Sequence, residues 1–245
     1  MFLYGKNSVF ERLKADPKSI KKIFLQDNFS HPDIEKLIKS KGIPCKRVAQ
    51  KELFRIKRAD ALQGIVAQIE TFGYADFDDL LLRKETKQLS FIFLDRVFDP
   101  QNLGSIIRTA SCFGKFAIVI PKHKACEVTE TTLHIACGGE SFTPVAMVSN
   151  LTNALIEAKK QGYWVVGGVV NEAQELYQAS LPFPLCLVLG SEGKGIRYGL
   201  QKYLDLKICI PMKGAALSFN IGGACAIFCY EIARQRPGPD IRITG

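Results

Sequence analysis

The sequence predicts an α/β protein: a parallel β-sheet covered by helices, preceded by a small N-terminal α/β domain. Three observations carry this. Beyond residue 89 the strand-like segments Phe91–Leu94, Phe116–Ile120, Tyr163–Val170, Leu185–Leu189 and Leu206–Ile210 are continuous apolar runs. Such runs mark strands buried on both faces. Helical patterns lie between them, which is the alternation that builds crossover units. Residues 1–70 repeat the alternation with shorter and more polar elements.

In that first domain Asn7–Lys14 (NSVFERLK) reads as a helix and Lys22–Leu25 as a strand. His31–Ser40 places apolar residues at helical spacing and stops before Gly42. A strand at Pro44–Val48, a helix at Gln50–Ile56 and a strand at Gly64–Ile69 complete the unit. The first 70 residues hold 15 Lys and Arg against 8 Asp and Glu, so they carry +7 of the chain's net +9. Each cation alone is an ordinary solvated charge, but their concentration in one segment predicts a polyanionic partner there. Lys6, Arg12, Lys21, Lys22, Lys46, Arg47, Arg55, Lys57 and Arg58 are candidates for a phosphate-contacting face. Residues 71–89 read as a linker with a short helix around Phe77–Lys84.

The second domain is expected over residues 90–236, with a disordered tail at 237–245. Open parallel sheets bind ligands at the carboxyl ends of their strands, and three strand ends carry unusual loops. The first is followed by DRVFDPQNLGSIIRTASCFG, in which Asn102 and Gly104 are expected to open a helix with Arg108 one turn inside. The second is GSEGKGI (190–196), with Glu192 among small residues. The third turns through Lys213–Ala216 and enters a helix at Ser218 and Asn220. Loops with so little side-chain bulk allow close backbone approach to a ligand. Asn102, Ser218 and Asn220 also fit helix caps, and that reading stays open. The pattern G-x-x-x-x-G-K-[ST] and the pattern G-x-G-x-x-G are both absent, which disfavours nucleoside triphosphates and dinucleotides.

No apolar run approaches the roughly 18 residues of a membrane helix. The opening MFLYGKNSVFERLK is interrupted by charge at once, unlike a secretory signal, so a cytoplasmic location is expected. Eight cysteines are scattered through apolar segments without a C-x-x-C pair and are expected to be buried thiols. With three histidines, none near another ligand type at metal spacing, no metal is expected.

The stretches FDPQNLGSIIRTASCFG, LVLGSEGKGI and IPMKGAALSFNIGGACAIFCYE, in that order, resemble the three signature motifs of the SpoU/TrmH-like RNA 2′-O-ribose methyltransferases. The small first domain is similar to the RNA-binding extension of the branch acting on guanosine in bacterial 23S rRNA. The resemblance implies a C-terminal trefoil knot, S-adenosylmethionine as methyl donor, and a homodimer whose active site draws on both subunits. It implies catalytic roles for Asn102, Arg108, Glu192, Ser218 and Asn220, and cofactor contacts, largely backbone, at Gly190, Ile210, Leu217 and Phe219. Of the cations singled out by the charge excess, Lys6, Arg12, Lys21, Lys22, Arg47, Arg55 and Arg58 are the expected RNA contacts.

The implied reaction is attack of a ribose 2′-hydroxyl on a sulfonium methyl, so the protein must orient two groups and handle one proton. A guanidinium stays protonated, so Arg108 is read as a phosphate clamp and oxyanion stabiliser, with Asn102 holding it or the ribose. Departures from the family pattern are Phe219 for leucine, Gly222-Gly223 in the last helix, Cys137-Gly138-Gly139-Glu140, and Leu62 for a histidine. The paired glycines cost about 1–2 kcal/mol of helix propensity. The alternatives are the same chemistry on tRNA, or a non-catalytic RNA-binding or ribosome-assembly protein.

Overall fold

The computed structural model describes residues 1–82, 89–214 and 217–237. The first unit is a four-stranded sheet in the order β1-β4-β2-β3, built from β1 (Phe2–Tyr4), β2 (Ile20–Gln26), β3 (Cys45–Val48) and β4 (Ile65–Ile69). Only β2 and β3 run parallel. Helices α1 (Lys6–Ala15), α2 (Pro32–Ser40) and α3 (Gln50–Ile56) connect the strands. Strand β1 was not foreseen, because three residues are too few to display an alternation.

Strand alternation divides the sheet's side chains between two faces. Leu3, Ile23, Leu25, Ile65 and Ala67 share one core with Val9 and Leu13 of α1 and Ile34 and Ile38 of α2. Tyr4, Val48 and Val66 on the other face pack with Leu53 of α3 and Leu62.

After α4 (Phe77–Leu82) comes a seven-stranded sheet, order β7-β6-β5-β10-β8-β11-β9, parallel at every pairing among the described residues. Its strands are β5 (Ser90–Asp95), β6 (Phe116–Pro121), β7 (Val145–Val148), β8 (Trp164–Gly168), β9 (Gln174–Glu175), β10 (Leu185–Gly190) and β11 (Leu206–Cys209). Every residue of β5 and β6 is buried, as their apolar runs require. The two strands missing from the sequence reading, β7 and β9, lie at the sheet's edges and are short. Strand β8 is shorter than Tyr163–Val170: the Val169 amide still donates to Ile208 O of β11 at 2.9 Å, and Val170 beyond it lines a cavity.

The helices of this unit are α5 (Pro100–Phe113), α6 (Glu130–Ala136), α7 (Leu151–Lys160), α8 (Tyr198–Gln201) and α9 (Ile221–Gln235). Helix α5 starts earlier than expected. Asp99 caps it by accepting from the Gln101 amide at 2.8 Å, and Pro100 takes the first position. Asn102 therefore lies inside the first turn rather than at the cap, and Arg108 lies two turns in. The expected end of the linker helix and the expected tail from 238 lie outside the described residues. The cysteines are free but not uniformly buried. Cys45 on the edge strand β3 and Cys112 on α5 are exposed, and only Cys186, Cys225 and Cys229 are fully inside.

The two units are fastened together. Arg12 of α1 pairs at 3.0 Å with Glu140, whose side chain has no solvent exposure. Tyr4 stacks on His134 with ring centroids 4.2 Å apart. Lys57 pairs with Glu130, which also accepts from the Phe2 amide at 2.6 Å. Gly138, at φ +91°, packs so tightly on α1 that an added Cβ would stand 2.4 Å from Cβ of Glu11.

Candidate active site

The central strands β5 and β10 end side by side, with Asp95 opposite Gly190. From Gly190 the chain folds back on itself, the Gly195 amide donating to Ser191 O at 2.9 Å. A Cβ on Gly190 would lie 2.0 Å from the Gly195 carbonyl carbon, so no other residue fits there. Gly193 and Gly195 take positive φ, at 80° and 61°, and make the turn possible.

Glu192, at the tip of this loop, joins three segments. Its Oε1 accepts from Asn102 Nδ2 of α5 at 3.1 Å and from the Ile221 amide at the start of α9 at 3.2 Å. Beside it, Asn220 caps α9 by accepting from the Gly223 amide at 2.8 Å. Gly222 faces α5, where an added Cβ would meet Ser105 Oγ at 2.9 Å. Close contact between α5 and α9 thus accounts for one of the two glycines that weaken the helix.

Asp95 anchors the same loop from below. It is 1% exposed; its Oδ2 accepts from the Arg197 amide at 2.9 Å, and the Arg197 and Arg96 side chains lie 3.2 and 3.6 Å from its oxygens. The sequence reading missed it. Its signal was an acid ending an otherwise apolar strand run.

Above these contacts is a cavity of about 440 Å³, within the range of small-molecule sites. Its walls are Gly168–Asn171 after β8, the loop 190–196, Ile210 and Met212 after β11, Ser218 and Phe219, and Ala224 and Phe228 of α9. A model described as the SpoU rRNA Methylase family matches residues 90–230, more than half of the chain.

The chain belongs to the SpoU rRNA methylase family.

A second model, described as RNA 2′-O ribose methyltransferase substrate binding, matches residues 2–75. The SpoU methylase is 33% identical over 240 residues to the 23S rRNA (guanosine-2′-O-)-methyltransferase RlmB of Pseudomonas putida, covering 96% of each chain. It is 34% identical over 243 residues to the RlmB of Coxiella burnetii, covering 97% of this chain and 96% of that one. Among solved structures it is similar to the SpoU methyltransferase AviRb of Streptomyces viridochromogenes, crystallised with AdoMet. That likeness has a TM-score of 0.80 at 21% identity and covers 96% and 90% of the two chains. The AdoMet-bound rRNA methyltransferase of Sinorhizobium meliloti aligns with a TM-score of 0.78 at 24% identity, covering 97% and 88%. At these identities the structures speak to the fold.

Of the site residues expected for a SpoU methylase, Gly190, Glu192, Ile210, Ser218 and Phe219 line the cavity. Asn102 and Asn220 stand behind it, holding Glu192 and the first turn of α9. Leu217 is not in the lining and is 75% exposed. Arg108 is not in the lining either. It is exposed, two turns along α5, with Nη1 3.6 Å from Cys137 Sγ. Asn102 donates to Glu192, whereas Arg108 lies against Cys137.

Of the candidate phosphate-contacting cations, four are engaged within the protein. Arg12 is committed to Glu140 and Asp16. Arg47 donates to the carbonyls of Gln26, Asp27 and Phe29 and pairs with Glu35 at 3.1 Å. Lys46 and Lys57 pair with Glu52 and Glu130. Lys6 lies over the Phe29 ring, and Lys22 over that of Phe24. Lys21, Arg55 and Arg58 are exposed, with no acidic partner among the described residues. Among those residues no group of three or more His, Cys, Asp or Glu could hold a metal ion, and no helix is long and apolar enough to cross a membrane.

Proposed function

We propose that this SpoU methylase transfers a methyl group from S-adenosylmethionine to the ribose 2′-hydroxyl of a guanosine in 23S rRNA. The observation that carries the reading is the convergence of the loop 190–196, the first turn of α5 and the start of α9 on Glu192, beside a cavity lined by glycines and apolar residues. The activity printed for the RlmB relatives gives the acceptor. The cavity suits the donor: glycine-bearing backbone at 190–195 presents polar groups, and Ile210, Met212 and Phe219 supply apolar walls. Gly190, Ile210 and Phe219 would hold S-adenosylmethionine, which supplies an already activated methyl group. Leu217 joins them through its backbone.

Asn102, Glu192, Ser218 and Asn220 orient the reacting groups around this cavity. Arg108 binds a substrate phosphate through its guanidinium fork and stabilises the developing oxyanion. Its exposure away from the cavity of its own chain supports the homodimeric reading, in which each subunit lends this arginine to the other's site. Close packing of α5 on α9, and the 58% exposed Tyr230 edge-on to Phe113, support a subunit contact on these helices.

The trefoil knot belongs to the same reading. Ile210 and Ile221 flank the segment 211–220, and both line the cavity edged by loop 190–196. We assign residues 1–70 to RNA binding, 71–89 to the linker, 90–236 to the methyltransferase domain, and the protein to the cytoplasm.

Isothermal titration with S-adenosylmethionine, followed by mapping of 2′-O-methyl positions in RNA from cells lacking the gene, tests the reading. Saturable heat and the loss of one methylated guanosine in 23S rRNA are expected. A missing methyl in tRNA would move the acceptor, and no heat would reduce the protein to a binding module.

A further inference from the structure

The N-terminal sheet's second face is covered only in part: Phe2 and Phe24 pack against the cluster under α3 and keep part of their rings exposed. The helices α1 and α2 cover the first face, and α1 is itself pressed against the second domain through Arg12 and Glu11. On the other face α3 covers Tyr4, Val48 and Val66 through Leu53. The rest is laid out by strand register. Phe2 stands opposite Gln68, and Gln68 opposite Lys22; one step along, Tyr4, Val66, Phe24 and Lys46 face one another across all four strands. Phe2 and Phe24 are only partly buried, Gln68 and Lys46 are exposed, and Lys22 Nζ lies 5.2 Å from the Phe24 ring centroid. On α3 itself, beside the sheet-facing Leu53, Phe54 is 48% exposed, the one exposed large apolar side chain of residues 1–70. Arg55 and Arg58, on and just after α3, are exposed and carry no acidic partner among the described residues.

We propose that this partly covered face and α3 together form a single-strand RNA platform on which unpaired bases stack on Phe24 and Phe54 while Lys22, Arg55 and Arg58 hold the phosphates. The proposal rests on the RNA-methyltransferase reading and assigns its substrate contact to one face and one mode. The chemistry favours single strands, because a base can lie on a ring only when it is out of a duplex stack. Cations interleaved with rings favour RNA over a protein partner, whose contact surface would be depleted of lysine. The outer face of α2 offers Lys36 and Lys39 but no exposed ring, so it can attract phosphates without holding bases.

The test is fluorescence anisotropy of the full chain with a labelled single-stranded RNA and with the same sequence as a duplex. Phe24→Leu with Phe54→Leu keeps an apolar side chain at each position and removes both π-faces. Single-strand affinity should fall by roughly 5- to 150-fold for each ring that stacks a base, with duplex affinity almost unchanged. Unchanged single-strand affinity, or equal losses on both RNAs, would overturn the platform. Sedimentation of the same variant covers the other occupant: an altered subunit assembly with RNA affinity intact would give the face to a second copy of the chain. Titration with S-adenosylmethionine separates the two levels. RNA binding that responds as expected in a protein that never binds the donor would sink the methyltransferase reading and keep the platform. If the double variant does not fold, Phe54→Leu alone, at an exposed position, decides by the same single-strand against duplex comparison.

Discussion

At the carboxyl ends of β5 and β10 the contacts that matter are made by backbone and two carboxylates; on the N-terminal sheet they fall to the tips of long side chains. The first kind leaves a trace in sequence, because a carbonyl carbon 2.0 Å from a would-be Cβ admits only glycine at 190. The second kind leaves a count of charges without saying which are free. Arg12 and Arg47 look identical to Arg55 and Arg58 on the page, yet the first two are spent on Glu140 and on three carbonyls. A charge excess therefore predicts a partner more safely than it predicts which residues touch it.

The largest expected effect comes from Arg108. Replacing it with alanine should lower single-turnover methyl transfer by about 10²- to 10⁴-fold while leaving S-adenosylmethionine affinity as it was. Unchanged turnover would remove it from the chemistry and leave the catalytic side of the comparison to backbone and the polar groups gathered around Glu192.

Next in size is Arg12→Ala, which strands a carboxylate with no solvent exposure. A loss on the order of 3 kcal/mol in chemical denaturation is expected, much of it restored by adding Glu140→Gln. Burial raises the Glu140 pKa above the ordinary 4.5, opposed chiefly by Arg12. The folded protein thus holds this proton more tightly than the unfolded chain. Its contribution to stability is complete below about pH 4.5 and is lost as pH rises through the folded-state value. The deficit of Arg12→Ala should therefore shrink on acidification, and a pH-independent deficit would mean the pair is not what the substitution disturbs.

The smallest effect sharpens the comparison most. Arg58→Ala should reduce the slope of log affinity against log salt by roughly 0.7 for single-stranded RNA, whereas Arg47→Ala should leave the slope alone. Equal changes would show that internally bonded arginines still reach phosphate.

The sheet of the second unit was legible because strands buried on both faces must be apolar throughout, as β5 and β6 are. The two-residue edge strand β9, Gln174–Glu175, escapes that rule, and β7 is apolar but only four residues long, too short to stand out. The start of α5 was readable but misread: Asp99-Pro100 is a stronger opening than Asn102, and choosing it would have placed Arg108 a turn deeper. Glu192 stood out by its glycines. Its two hydrogen-bond partners come from segments 90 and 29 residues away in sequence, and no local pattern encodes that closure. Asp95 escaped notice because a lone acid at a strand end has many ordinary explanations.

The corner at Cys137–Glu140 touches both units. Gly138 lies on α1, Glu140 holds Arg12, and Gly139 lies against the Arg108 turn of α5, where an added Cβ would stand 3.1 Å from Cα of Arg108. Anyone grafting a foreign recognition module onto this catalytic body would thus have to transplant these four residues with it. Cutting at the linker alone would leave the donor helix resting on a socket shaped for another.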